Sequence, residues 1–169
     1  MSDEEIIGFW GKENLERWSD PRLADWHVPT ESKLFLTRVG LPCRGDWTLR
    51  FTREPDQPHL PSIGAHHRLI GYDDIVPICL DERTGGRVVA LEESVGGTER
   101  FINSRVEQFA QALVLYERYR KRVRGLAEHE AQDLIAKTSQ QLRAVDPAAF
   151  SDPNNWWPVI IEQMRHGLL

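Results

Sequence analysis

The run from Gly71 to Leu91 constrains the fold of this chain more than any other stretch. Two apolar segments, Ile75–Leu80 and Val88–Leu91, flank a polar turn, Asp81-Glu82-Arg83-Thr84, that closes on Gly85-Gly86. That is the pattern of a β-hairpin with a loop longer than two residues. A further short strand, Arg100 to Ile102, runs directly into Asn103-Ser104, a helix start. A hairpin, a strand and then a capped helix lay a sheet down first and cover it with helices afterwards.

The flanking segments fit the same plan. Asp3 to Trp18 places Ile6, Ile7, Trp10, Leu15 and Trp18 roughly on one helical face, weakened by Gly8 and Gly11. Ser19-Asp20-Pro21 stops that helix, and Trp26–Pro29 is an extended connector. Thr30 caps a helix over Glu31–Val39 that buries Leu34, Phe35 and Val39, with Gly40 at its C-cap and Pro42 beyond. Trp47, Leu49 and Phe51 alternate with Thr48, Arg50 and Thr52, a strand with one wet face. Glu54–Pro61 holds three prolines and is loop, and His66–Tyr72 forms the next strand. Pro77 pushes its own strand towards an edge or a bulge. Ser104 with Glu107 predicts a capping box for a helix carrying Val106, Phe109, Ala110, Leu113 and Tyr116 inward, ended by Gly125. A second long helix runs from about Leu126 to Val145. A last one begins near Asn155 and buries Trp157, Ile160, Ile161 and Met164. Asp146-Pro147 and Asp152-Pro153 are both cap-plus-proline signatures. The expected architecture is one α+β domain over residues 1–169, a central, mostly antiparallel sheet with flanking N- and C-terminal helices.

Charge narrows the function. The formal net charge is −5, yet Glu117–Arg124 carries five positive charges and one negative, so the remainder is more acidic still. A chain acidic outside one helix end is poorly suited to nucleic acid, whose binding rests on phosphate neutralisation. It suits a basic protein partner. No apolar run approaches the ~20 residues that span a bilayer. The acidic start, Met1-Ser2-Asp3-Glu4-Glu5, lacks the basic region of a secretory signal. Two cysteines, Cys43 and Cys79, are too few for a disulfide framework and read as free thiols in a reducing cytoplasm.

Catalytic constellations are weak. His59, His66 and His67 lie near Asp73, Asp74 and Asp81 in sequence, but no metal motif of diagnostic spacing is present. On a strand His66 and His67 point to opposite faces, so they read as solvated strand-start residues and no metal or cofactor is expected. Asp73-Asp74 could pair with a histidine in a hydrolase, although a turn after Gly71-Tyr72 accounts for them more simply. Gly85-Gly86 and Gly96-Gly97 lack the lysine and the following helix of a phosphate loop. The chain is therefore read as a binding protein and not as an enzyme.

Several segments carry a family resemblance. These are Phe9-Trp10-Gly11, Phe35-Leu36-Thr37-Arg38-Val39-Gly40-Leu41-Pro42, Gly71-Tyr72-Asp73, Ile78-Cys79-Leu80-Asp81 with Gly86-Arg87-Val88-Val89, Phe101-Ile102-Asn103-Ser104, Phe109, and Asp146-Pro147-Ala148 followed by Trp156-Trp157-Pro158. In their order the chain resembles the SUKH superfamily, within it the fourth subgroup of bacterial immunity proteins. Arg38 departs from the acidic residue more common there, and so does the long Glu54–Ser62 loop, whose composition matches no familiar pattern. The resemblance implies a SUKH-like α+β domain and a cytoplasmic protein that binds and neutralises a cognate polymorphic toxin, often a nuclease or deaminase. Regulatory and scaffold proteins of the same superfamily are the alternative. No catalytic motif and no binding position transfers from the family. The expected interface is instead the open face of the sheet with its turns, where Trp47, Arg50, Tyr72, Asp73, Asp74, Asp81 and Glu82 combine aromatic anchors with carboxylates suited to a basic toxin.

Overall fold

The computed structural model describes residues 1–43, 48–52, 64–92 and 98–168. In it the capping box at the N-terminus forms at Ser2, whose hydroxyl accepts from the Glu5 N–H while the Glu5 carboxylate accepts from the Ser2 N–H. The helix it starts, α1 (Asp3–Trp10), is shorter than the apolar spacing predicts. Gly11 at φ +81° ends it, and the chain continues through a 3₁₀ turn, Lys12–Asn14, into β1 (Leu15–Glu16). Trp18 is buried without lying on a helix. Asp20-Pro21 opens a short helix, α2 (Asp20–Leu23), with Pro21 in its first turn, where a missing N–H costs nothing. Then α3 (Thr30–Arg38) buries Phe35 and Leu36 and leaves Leu34, expected inward, exposed. β2 (Leu41–Pro42) returns antiparallel to β1.

The main sheet has five antiparallel strands in sequence order: β3 (Leu49–Phe51), β4 (His67–Asp73), β5 (Val76–Asp81), β6 (Arg87–Glu92) and β7 (Thr98–Asn103). The strand carrying Pro77 is thus central and not an edge. Its proline sits second in β5, and the register between β4 and β5 shifts at Leu69/Gly71. That bulge lies in β4 opposite Cys79 and Ile78, while Pro77 pairs in register with Tyr72.

Three long helices follow: α4 (Val106–Val123), α5 (Glu128–Val145) and α6 (Trp156–Arg165). One face of the sheet packs Leu49, Phe51, Ile70, Ile78, Leu80, Val88, Ala90 and Ile102 into a core shared with Phe109, Leu113 and Tyr116 of α4. The Phe51 and Phe109 rings meet edge to face at 5.6 Å. Basic residues late in α4 are partly structural: Arg118 and Lys121 lie over the Phe9 ring at 5.3 and 4.9 Å and pin α1 to α4.

The predicted Ser104–Glu107 capping box does not form. α4 begins at Val106, and Glu107 reaches instead to the Ser32 hydroxyl at 3.4 Å. Buried Asp146, before the 3₁₀ turn Pro147–Phe150, claims Ser104: its carboxylate accepts from the Ser104 N–H at 2.6 Å and hydroxyl at 3.0 Å. It also accepts from Asn103 Nδ2 at 3.1 Å, and Asn103 Oδ1 accepts from the indole N–H of buried Trp157 at 2.8 Å. One polar chain thereby ties β7, the end of α5 and the start of α6. Each buried polar group in it is matched, as a low-dielectric interior requires.

Candidate partner interface

Strand alternation decides where the predicted interface residues lie. Arg50 stands opposite Tyr72 across β3 and β4, on the face away from the long helices. Arg50 is exposed, but Tyr72 is only 5% exposed. The centre of that face is not wet either. Cys79, Val89 and Leu91 form a second buried apolar cluster there, with Leu69 packed against it, and the Arg87 guanidinium lies 5.6 Å over the Phe101 ring. The expectation of an open polar face is corrected accordingly, because β4, β5 and β6 each place apolar residues on both sides. Trp47, like His59, lies outside the described residues.

The remaining residues separate to the two ends of β5, roughly 17 Å apart at ~3.4 Å per residue. At one end is the β4–β5 turn. Asp74 adopts φ +54°, the left-handed conformation that aspartate tolerates in turns. Asp73 is half-buried and accepts a short hydrogen bond from the Thr48 hydroxyl, while the Asp74 N–H donates to the Thr48 carbonyl at 3.1 Å. The tip residue Ile75 is 74% exposed. Asp73 also lines a pocket of about 260 Å³ between the sheet edge and the helices, together with Thr48, Leu49, Tyr116, Arg120 and Trp156 among others. Burial, partly offset by nearby Arg120, pushes the Tyr116 hydroxyl up to about 12. The Arg120 Nη1 in this wall is buried and has no hydrogen-bond partner among the described residues. Arg120, within the basic end of α4, is half-buried here.

At the other end the carboxylates are braces. Asp81 is fully buried. Its Oδ1 accepts from the Arg83 N–H at 3.0 Å and Nε at 3.1 Å, and its Oδ2 accepts from the Thr84 hydroxyl at 3.0 Å. Burial raises its pKa, but the Arg83 and Thr84 bonds together hold it below the ordinary aspartate value. Glu82 accepts from Arg68 Nε and from the His27 N–H, both at 2.6 Å, and these bonds outweigh burial to lower its pKa too. Asp81 and Glu82 are therefore not the free steering charges that the sequence suggests.

His66 and His67 lie at this end as well, six strand residues or roughly 20 Å from Asp73. Neither His66 nor His67 therefore joins Asp73 and Asp74 in a hydrolase arrangement. His66 precedes β4, so strand alternation does not separate the pair: their rings are 4.6 Å apart, and with Asp81 they form a cluster of potential metal ligands. Sequence reasoning missed Ile75, Arg120 and Trp156. An isoleucine in a turn directly after Asp-Asp was a usable signal for the first. The pocket had none, because it joins β3, β4, α4 and α6 only in space.

Against known proteins, the chain matches the model of the SUKH-4 immunity protein family over residues 1–163. It belongs to that family. No curated protein and no solved structure matches it.

Proposed function

We propose, on the premise of that membership, that this protein is an immunity protein that binds and neutralises a cognate polymorphic toxin of the nuclease or deaminase class inside the cytoplasm, by direct protein–protein contact. Family membership over nearly the whole chain is the observation that carries the reading. The interface we assign is narrower than the sequence suggests. It comprises Asp73, Asp74 and the exposed Ile75 around the β4–β5 tip, with the pocket walled by Tyr116, Arg120 and Trp156 as the acceptor for a toxin side chain. An exposed aliphatic two residues from an aspartate that lines an aromatic-walled cavity has the makeup of an interface centre, and Asp74 between them supplies steering towards a basic partner.

The test pairs survival with kinetics. Co-expression with the toxin domain encoded next to this gene should rescue growth. Ile75→Asp should weaken binding by roughly 30-fold or more, as expected for a central anchor worth ~2 kcal/mol. Asp74→Lys should slow association most at low salt, since such fields are screened beyond ~8 Å at physiological ionic strength. Failure to rescue, together with several unrelated partners in a pull-down, would favour the regulatory scaffold. Rescue with full-affinity binding by Ile75→Asp would move the interface elsewhere.

A further inference from the structure

The end of the sheet opposite that tip holds a cluster that the immunity reading leaves unused. We propose that His66, His67 and Asp81 form a binding site for one divalent transition-metal ion of the zinc class, with His67 as its anchor. One potential ligand atom from each of the three lies within 4.8 Å of the others.

The His67 side chain is 6% exposed, and its Nε2 pairs with Glu99 Oε1 at 3.0 Å. With that nitrogen donating to the carboxylate, Nδ1 carries the lone pair. Nδ1 is buried and has no hydrogen-bond partner among the described residues. A buried acceptor without a donor is costly. A carboxylate holding the far nitrogen of a histidine is also how metal-ligating imidazoles are oriented. Glu99 is itself held by Arg83, which pairs with Asp81 as well, so one guanidinium positions both carboxylates.

The space around Nδ1 is shared. A Cβ placed on Gly64 would lie 3.3 Å from His67 Nδ1 and 3.3 Å from His66 Nε2, so both nitrogens border one small volume that the absence of a side chain keeps open. Asp81 Oδ2 accepts one hydrogen bond, from Thr84, and an ionised carboxylate oxygen has room for another partner. Tetrahedral ligation at ~2.0–2.1 Å brings ligand atoms to ~3.3 Å of one another. The cluster therefore has to contract, and His66, half-buried in the turn before β4, is the member that swings in. Two imidazoles and a carboxylate select Zn²⁺, Co²⁺ or Ni²⁺ over Mg²⁺ and Ca²⁺. Three protein ligands leave a fourth position for water. The site does not depend on the identity or existence of a toxin.

The experiment titrates the tag-free chain with Co²⁺, followed by visible absorption, and then displaces it with Zn²⁺, with circular dichroism confirming the fold of each variant. One equivalent of Co²⁺ should bind saturably, Zn²⁺ should displace it, and excess Mg²⁺ or Ca²⁺ should not. His66→Ala should weaken binding at least ~10-fold, and Glu99→Gln by ~10–100-fold with the shape of the spectrum kept, as for a residue that orients a ligand. His166→Ala, at the exposed Glu162 pair, should change nothing. Absence of saturable binding, unaltered binding by His66→Ala, or loss of binding in His166→Ala would each overturn the proposal. His67→Gln should abolish binding if it folds; if it does not, His66→Ala and Glu99→Gln decide.

Discussion

Replacing Trp157 tests the polar chain and the core together. Its side chain is fully buried, meets Trp156 edge to face at 4.6 Å and Tyr116 at 6.0 Å, and donates its N–H to Asn103. Trp157→Ala opens a large cavity, worth ~3–5 kcal/mol. It also strips the donor from Asn103 Oδ1, adding ~1 kcal/mol or more for an orphaned buried acceptor. The expected loss of about 4–6 kcal/mol compares with a total stability of ~5–15 kcal/mol for such domains. At ~2–4 °C per kcal/mol for a chain this long, the melting temperature should fall by roughly 10–20 °C. Trp157→Phe keeps an aromatic ring but removes the N–H, so it should cost ~1–3 kcal/mol. Urea denaturation of both variants, read at unchanged m-value, separates the two contributions. A soluble Trp157→Ala protein with an unaltered midpoint would refute the assignment. Equal damage from Phe and Ala would place the energy in the hydrogen bond and not in the packing.

Three further outcomes follow from particular contacts. A methyl group on Gly71 would lie 2.4 Å from the Arg50 carbonyl oxygen and 2.6 Å from a Phe51 ring carbon, so Gly71→Ala should cost ~1–3 kcal/mol through overpacking, measurable by thermal denaturation. Burial, with nearby Glu99 adding to it, raises the Cys79 thiol to about 12, whereas Cys43 is half-exposed; a disulfide reagent should modify Cys43 quickly and Cys79 only at the rate of unfolding. The Tyr116 phenol ionises near 12 in the fold against 10.0 in the open chain, so its contribution is intact below pH 10 and fades as pH rises from there towards 12. Stability measured across that window should decline less steeply in Tyr116→Phe.

Much of the framework was legible in the sequence because local rules suffice for it. Turn chemistry at Asp73-Asp74 and Gly85-Gly86, apolar periodicity in α4, α5 and α6, and Ile-Cys-Leu facing Val-Val-Ala-Leu located the sheet and its helical cover. The ordered segments from Phe9 to Trp157 also carried the resemblance that the family match bears out. Local rules failed where a distant group competed for the same atoms. Ser104 looked like an N-cap, but Asp146, 42 residues away, takes its N–H and hydroxyl. The turn that ties Asp81 to Arg83 and Thr84 is local, but no local pattern announces that Arg68 and the His27 N–H will enclose Glu82. His66 and His67 converge because the strand starts one residue later than its pattern implies, which releases His66 from alternation. Alternation assigns side chains to faces, but only tertiary packing decides which faces meet water. It buried Tyr72 and Cys79 on the side away from the helices, and it brought Asp73, Tyr116, Arg120 and Trp156 together around one pocket.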